Sequence, residues 1–482
     1  MRRHGTLGSA QEVALARTPG RRRAMKIVVC GAGLVGMNIA QYLVRAGHDV
    51  TVIDQRQDLA RKLGENLDIK AIAGHASHPD ILDSAGAADA DMLIAVTYAD
   101  EVNMLACQVA HTLFEVPTKI ARIRQQAYLE PRWNDLFRSN HVPIDVIISP
   151  ELEVARAINR RLGVPGALEV IPFADDRARL IAVRCHHDCP MLDTPLRQLG
   201  FLFPDLKLTT IGIVRDGRFF VPTGDDQMLE GDEVYFVVAT SQTDRAMSAM
   251  GYEANAPEHC VIAGGGNVGW SLAGLLRERT PTGTIKIIEC NPERAADLAV
   301  RAPHLNVLLG DARENDILAE ANVGAADAMI GVANDDEVNI MAALLAKRLG
   351  CPLAFTLINH GNYAPLLGPL GIDVAINPRE TTVSSVLQHV RRGRIKAVRS
   401  IVDGAAEVFE AEALETSPLV GIPLKEAHLP SGVMVAAVVR GHEVLTPRGN
   451  TVVHAGDRVV VASRAQLVKR VEKLFAVRLD YF

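Results

Sequence analysis

Short apolar, β-branched runs recur along the chain, each bounded by turn residues and followed by a segment with helical spacing. Lys26-Ile-Val-Val-Cys30 and Val50-Thr-Val-Ile-Asp54 open one series; Cys260-Val-Ile-Ala263 and Ile285-Lys-Ile-Ile-Glu289 open another. Uninterrupted apolar runs of this length predict strands buried on both faces. Their alternation with helices predicts a parallel sheet covered on both sides. The two series match string for string. Gly74-His-Ala-Ser77 pairs with Gly310-Asp-Ala-Arg313, and Val96–Met104 with Val332–Ile340. Ile148-Ser-Pro150 pairs with Ile376-Asn-Pro378, where a proline opens a helix directly after a strand. Each copy extends over roughly 120 residues, so the chain contains an internal duplication.

A different pattern follows each copy. Leu192-Asp-Thr-Pro-Leu196, Ile211-Gly-Ile-Val-Arg-Asp-Gly217 and Gly231-Asp-Glu-Val-Tyr-Phe-Val-Val238 come after the first. Leu419-Val-Gly-Ile-Pro-Leu424, Val435-Ala-Ala-Val-Val-Arg-Gly441 and Gly456-Asp-Arg-Val-Val-Val-Ala462 come after the second. Short strands around Gly-Asp and Asp-Gly turns predict a compact, β-rich α+β unit, closed by helices at Arg245–Met250 and Gln466–Leu474. The predicted class is α/β: two Rossmann-like parallel-sheet domains (25–150 and 257–379), each followed by a small α+β domain (165–250 and 398–480), in the order N-C-N-C.

The first strand of each copy runs into the same glycine string: Gly31, Ala32, Gly33, Leu34, Val35, Gly36, and again Gly264, Gly265, Gly266, Asn267, Val268, Gly269. Strand, glycine turn and helix in this order form the context in which the string binds dinucleotides. The first glycine permits a tight turn and the second lets backbone approach a pyrophosphate. The third packs helix against strand, leaving the helix N-terminus aimed at the anion. An acidic residue ends the second strand of each copy, Asp54 in one and Glu289 in the other. A carboxylate there accepts hydrogen bonds from ribose hydroxyls and repels a 2′-phosphate, favouring NAD(H) or an adenine nucleotide over NADP. The alternative role for each acid is to cap the following helix.

Composition narrows the picture. With 482 residues the chain suits three or four domains, and 48% hydrophobic with 4% aromatic content fits α/β architecture. No apolar run approaches the ~18 residues a membrane span needs, so a soluble protein is expected. Residues 1–24 hold six arginines against one glutamate and no apolar stretch, so no secretory signal is expected. They read as a disordered tail or an over-extended start ahead of Met25. Without that surplus of five positive charges the formal net charge of −6 becomes −11, which argues against nucleic-acid binding. Seven cysteines, an odd number without a disulfide framework, suit a reducing compartment. Cys185-His-His-Asp-Cys189 lacks standard zinc spacing and is expected to be a polar turn.

Catalytic chemistry finds little support. A dehydrogenase needs an acid or base beside the nicotinamide, and the neighbouring small domains offer no such constellation. His75 and His78 lie near Asp80, but Asp311 replaces His75 in the second copy, so turn or capping roles are expected. Asp100-Glu101 and Asp335-Asp336-Glu337 stand where they favour a helix dipole. No P-loop is present.

The arrangement resembles the RCK (KTN) domains that regulate bacterial potassium transport, and among them the TrkA family. The match runs from Met25 to near the C-terminus. It rests on Gly74-His-Ala-Ser-His-Pro79, Asp91-Met-Leu-Ile-Ala-Val-Thr97, Ile120-Ala-Arg-Ile-Arg124 and Asn334-Asp-Asp-Glu337. The resemblance implies NAD(H) contacts at Gly31 through Val35, Asp54, Thr97, Tyr98 and Arg122. It implies a homotetrameric ring of eight such domains on the cytoplasmic face of the inner membrane, bound to a TrkH/TrkG-type potassium-translocating subunit and gating it without enzymatic turnover. ATP and ADP share adenosine and a phosphate chain with NAD(H) and would compete for the same crevice. Arg122 and Arg124, two apart in a strand, point to one face and suit phosphate. The second copy has Leu357 and Asn359 at these places and Ala333 in place of Thr97, so a nucleotide of different affinity or identity is expected there. Alternatives are a soluble NAD-dependent oxidoreductase or a regulator of another cation transporter.

Overall fold

The computed structural model describes residues 24–475, apart from residues 46, 68, 139, 253–255, 391–394, 403–404, 465–466, 468–470 and 472–473. The readings of residues 1–24 and of a helix at Gln466–Leu474 fall wholly or largely outside these.

Strands β1 (Lys26–Cys30), β2 (Asp49–Asp54), β3 (Lys70–Ala73), β4 (Met92–Ala95), β5 (Thr118–Arg122) and β6 (Val146–Ile148) form a parallel sheet in the order β3-β2-β1-β4-β5-β6. Helices α1 (Leu34–Arg45), α2 (Gln57–Asn66), α3 (Pro79–Ser84), α4 (Asp100–Phe114) and α5 (Pro150–Leu162) alternate with them. This is the doubly wound order, whose direction reverses between β1 and β4; ligands bind where the loops after those two strands part.

An antiparallel sheet follows, from β7 (Ala167–Phe173), β8 (Ala178–Arg184), β9 (Leu208–Arg215), β10 (Arg218–Phe220) and β11 (Glu233–Ala239), with α6 (Leu196–Leu202) and α7 (Thr243–Ala249). The Asp-Gly turn is a two-residue hairpin: Asp216 and Gly217 both have positive φ, and Arg215 pairs with Arg218. The recurrent Gly-Asp string has a physical cause as well. Asp232 is buried, accepts from Leu229 N and takes both Nε and Nη2 of Arg215 at 2.9 and 2.7 Å. Asp457 repeats this with Arg440 and His454 N.

The second half repeats the plan. β12 (His259–Ala263), β13 (Thr284–Glu289), β14 (Asn306–Leu309), β15 (Ala328–Gly331), β16 (Leu353–Leu357) and β17 (Val374–Ile376) form a parallel sheet in the order β14-β13-β12-β15-β16-β17. Its helices are α8 (Asn267–Arg279), α9 (Pro292–Arg301), α10 (Asn315–Glu320), α11 (Asp336–Arg348), α12 (Ala364–Leu367) and α13 (Pro378–Val390). β18 (Ile395–Ile401), β19 (Ala406–Glu412), β20 (Val433–Arg440), β21 (Glu443–Leu445) and β22 (Arg458–Arg464) make the last antiparallel sheet.

The two halves complete each other's cores. Helix α5 starts with a Ser149 cap, whose Oγ accepts from Leu152 N, and with Pro150 at its first position. Its apolar face (Val154, Ala155, Ile158, Leu162) packs into the second parallel-sheet unit, among Ile262, Leu272, Leu276 and Ile287. Helix α13 crosses the other way: Val386 and Val390 join the first unit's core with Ile39 and Leu43. At ~1.5–3 kcal/mol per fully buried aliphatic side chain, the three large residues of α5 contribute on the order of 5–9 kcal/mol. Neither α/β unit closes its core alone. The antiparallel sheets also meet face to face, with Leu180, Ile211 and Val237 against Val408, Val439 and Val460.

Candidate functional site

Both glycine loops have the geometry that the string requires. Gly31 has φ +109° and its N–H donates to Ile53 O at 2.7 Å; a Cβ there would stand 3.1 Å from Thr97 N and Val96 O. A Cβ on Gly36 would lie 1.9 Å from Gly31 O, so the third glycine packs the helix onto its own loop. A Cβ on Gly33 would meet nothing within 4 Å. That direction is open, which is the approach a phosphate needs. Gly264 (φ +110°), Gly266 and Gly269 repeat all three features.

The open side of the first loop is a cavity of about 700 Å³, within the range of small-molecule sites. Gly31, Gly33, Leu34 and Val35 line it, as do Asp54, His75, Ala76, Thr97, Tyr98, Arg122 and Arg124. Ala32 is buried and Gly36 lies behind the loop. Asp54 Oδ2 accepts from Ala32 N (2.6 Å) and Oδ1 from Arg56 N (2.8 Å). The carboxylate thus braces the loop and the residue before α2, while α2 itself has no side-chain cap. With about four lone-pair sites, it retains acceptor capacity for ribose hydroxyls.

Arg122 ends β5, and Arg124 lies two residues beyond the strand's last residue; both nevertheless face the cavity. Arg124 pairs with Glu151 at 2.9 Å and sits 5.6 Å from the ring centre of Tyr98, which is 84% exposed. Arg122 differs. Its Nε is buried without a hydrogen-bond partner, and burial, then repulsion from Arg124, pulls its pKa below the usual guanidinium value. A half-buried cation on a cavity wall, with one donor nitrogen unsatisfied, suits an anionic ligand.

One residue without an assigned role holds this corner together. Asn103 is fully buried; its Oδ1 accepts from Thr97 N (2.9 Å) and Thr97 Oγ1 (2.7 Å), and its Nδ2 donates to Thr97 O and Arg122 O (3.2 and 2.9 Å). It ties the ends of β4 and β5. Asn339 does the same for Ala333 and Leu357. The signal was present: an asparagine on the apolar face of the helix, within the repeated Glu-Val-Asn string. The acids at these helix starts also bind more than a dipole. Asp100 accepts from Arg124 N and Gln125 N, and Asp336 from the backbone and side chains of Asn359 and His360.

The second loop sits differently. Of Gly264, Gly266, Asn267, Val268, Gly269 and Glu289, Val268 borders the cavity, together with Asn334, Leu357 and Asn359 from the same copy. Glu289, 9% exposed, accepts from Gly265 N and Asn291 N, both at 2.8 Å, as Asp54 does in the first copy. Arg294 donates to Gly265 O at 2.8 Å. It stands three positions into the segment after Asn291, as Leu59 does after Arg56, and its Nη1 pairs with Asp297 at 2.7 Å.

His75 Nδ1 is 2.8 Å from Ser77 Oγ and its ring stacks on His78. His78 occupies the N-cap position of α3 without a side-chain cap bond. Cys185 and Cys189 are buried around a turn closed by Cys189 N and His186 O. Among the described residues, no three His, Cys, Asp or Glu side chains converge as a metal site requires. No helix among them is long and apolar enough to cross a membrane.

The TrkA-N domain profile matches residues 27–150 and 260–378, and the TrkA-C domain profile residues 180–251 and 408–476. The chain is 48% identical over 458 residues to the Trk system potassium uptake protein TrkA of Azorhizobium caulinodans, covering 95% of this chain and 100% of that protein. With the protein of the same name from Vibrio alginolyticus it shares 41% over 455 residues, 94% and 98% of the two chains. Among solved structures, the GsuK RCK domain superposes with a TM-score of 0.56 at 19% identity, covering 95% of this chain and 96% of that one. The GsuK channel bound to NAD gives 0.57 at 19%, covering 95% and 80%. At such identities the likeness concerns the fold.

Proposed function

We propose that the chain, which belongs to the TrkA family of Trk system potassium uptake proteins, is a nucleotide-sensing regulatory subunit of potassium uptake. The observation that carries the reading is the cavity over the first glycine loop, lined by Arg122, whose buried Nε has no hydrogen-bond partner. NAD(H) is the proposed ligand, with ATP and ADP as competitors. Gly31 through Val35 take the phosphates, Asp54 the ribose, and Thr97, Tyr98 and Arg122 the far side of the crevice. Gly264, Gly266, Asn267, Val268, Gly269 and Glu289 form the second site, of different affinity. The segments 25–150 and 257–379 sense, and 165–250 and 398–480 complete the assembly.

The chain acts without turnover, at the cytoplasmic face of the membrane, as a homotetramer beneath a potassium-translocating subunit. Occupancy shifts the assembly between shapes only by the difference in ligand affinity for them, ~1–3 kcal/mol in typical couplings. The crossed helices support this mechanism. A change at either loop reaches both halves because α5 and α13 are each part of the opposite core.

The test is calorimetric titration of the purified chain with NADH, ATP and ADP, paired with potassium flux through the membrane subunit reconstituted with and without the chain. Saturable binding and nucleotide-dependent flux are expected. No binding, or flux indifferent to the chain, would overturn the reading, and steady NADH oxidation with a carbonyl substrate would replace it with an oxidoreductase.

A further inference from the structure

We propose that Arg379, in the first turn of α13, contacts the terminal phosphate of a nucleotide held on the glycine loop of the other repeat, and so distinguishes ATP and ADP from NAD(H). This rests on the reading of the first cavity given above and adds a residue from the far half of the chain to it.

Arg379 lines the same cavity as Gly33, Leu34, Arg122 and Arg124. It arrives there because α13 packs along α1: Val386 and Val390 are buried with Ile39 and Leu43. The helix start is fixed by Pro378 at its first position and by Asn377, whose Oδ1 accepts from Arg379 N at 3.0 Å. The Arg379 side chain is half-buried, and among the described residues its guanidinium pairs with no carboxylate. Arg124, by contrast, is engaged by Glu151.

The duplication sharpens the point. The residue after the helix-opening proline is Glu151 in α5 and Arg379 in α13. Each crossing helix therefore carries a charge to the junction, and the two signs are opposite. Leu357 and Asn359 already replace Arg122 and Arg124 in the second copy. Arg122, Arg124 and Arg379 thus all line the first loop's cavity, while Arg294 beside the second loop is paired with Asp297.

In NAD(H) each phosphate is bridged to one ribose and to the other phosphate, and carries about one negative charge. ATP and ADP end in a phosphate with three free oxygens and up to two charges, which a guanidinium fork grips bidentately. Because α13 also packs against β18, that grip links the presence of a terminal phosphate to the second antiparallel sheet.

The experiment uses the full chain and the variants Arg379→Gln and Arg379→Lys, titrated calorimetrically with ATP, ADP and NADH. Losing one charge-assisted contact should weaken ATP and ADP about tenfold or more while moving NADH less than about threefold, with lysine recovering part of the loss. Thermal unfolding should stay within about 2 °C of the parent, since among the described residues the guanidinium pairs with no carboxylate. Unchanged ATP affinity in Arg379→Gln, or an equal fall for NADH, overturns the proposal. If the parent chain binds no nucleotide, the reading of the cavity itself falls; if the parent binds and the variant is indifferent, only Arg379 loses its role.

Discussion

Replacing Asn103 with alanine tests whether the crevice is held open by a single buried amide. Its carboxamide makes four hydrogen bonds at 2.7–3.2 Å, joining Thr97 N, Oγ1 and O to Arg122 O. At ~1 kcal/mol net per bond the loss approaches 4 kcal/mol; water entering the vacated space recovers part, leaving about 2–4 kcal/mol. For a unit of this size that lowers its unfolding midpoint by roughly 10 °C, read by calorimetry or by hydrogen exchange at the Thr97 amide. Because the same amide fixes the strand ends that carry Thr97 and Arg122, NADH affinity should fall about tenfold. The internal control is Asn339→Ala, which removes the equivalent bonds to Ala333 and Leu357. It should destabilise the second unit comparably while leaving first-site affinity within about twofold. If Asn103→Ala binds NADH as the parent does, or if both variants lose affinity equally, Asn103 does not position the site.

Gly33→Val should separate binding from stability. A Cβ there meets open space, so the midpoint should hold within about 2 °C while nucleotide affinity drops at least 100-fold in a titration. Asp54→Asn keeps one carbonyl oxygen for the two backbone donors of Ala32 and Arg56, and should weaken NADH while relaxing exclusion of NADPH; unchanged selectivity in a competition titration would remove Asp54 from the ribose. Acid should loosen the second repeat through Asp336. Burial alone pushes this carboxyl up, but hydrogen bonds from Asn359 and His360 outweigh it and hold the pKa below the ordinary value. The stabilisation is therefore fully present above about pH 4 and is lost as pH falls through the lower folded value. Hydrogen exchange at Asn359 and His360 should accelerate in that window, and Asp336→Asn should abolish the dependence.

What the sequence determined by itself was local. Strand and helix order, the duplication, both glycine loops and the acids at the ends of β2 and β13 follow from periodicities and backbone sterics acting within a few residues. The contact of Gly36 with Gly31 O lies within a single turn of chain, so the string alone specifies it, whereas Gly31 is hemmed in by Val96 and Thr97 of a distant strand end. Tertiary structure decided which sheet each amphipathic helix covers. The apolar faces of α5 and α13 would look the same packed at home or exchanged, and periodicity carries no address. The exchange in turn made one cavity from two repeats and brought Arg379 to it, and it made Val268 the second loop's border with that cavity. Asn103 is the intermediate case. Its place on the helix was visible, but its value comes from two strand ends that only the folded sheet sets side by side.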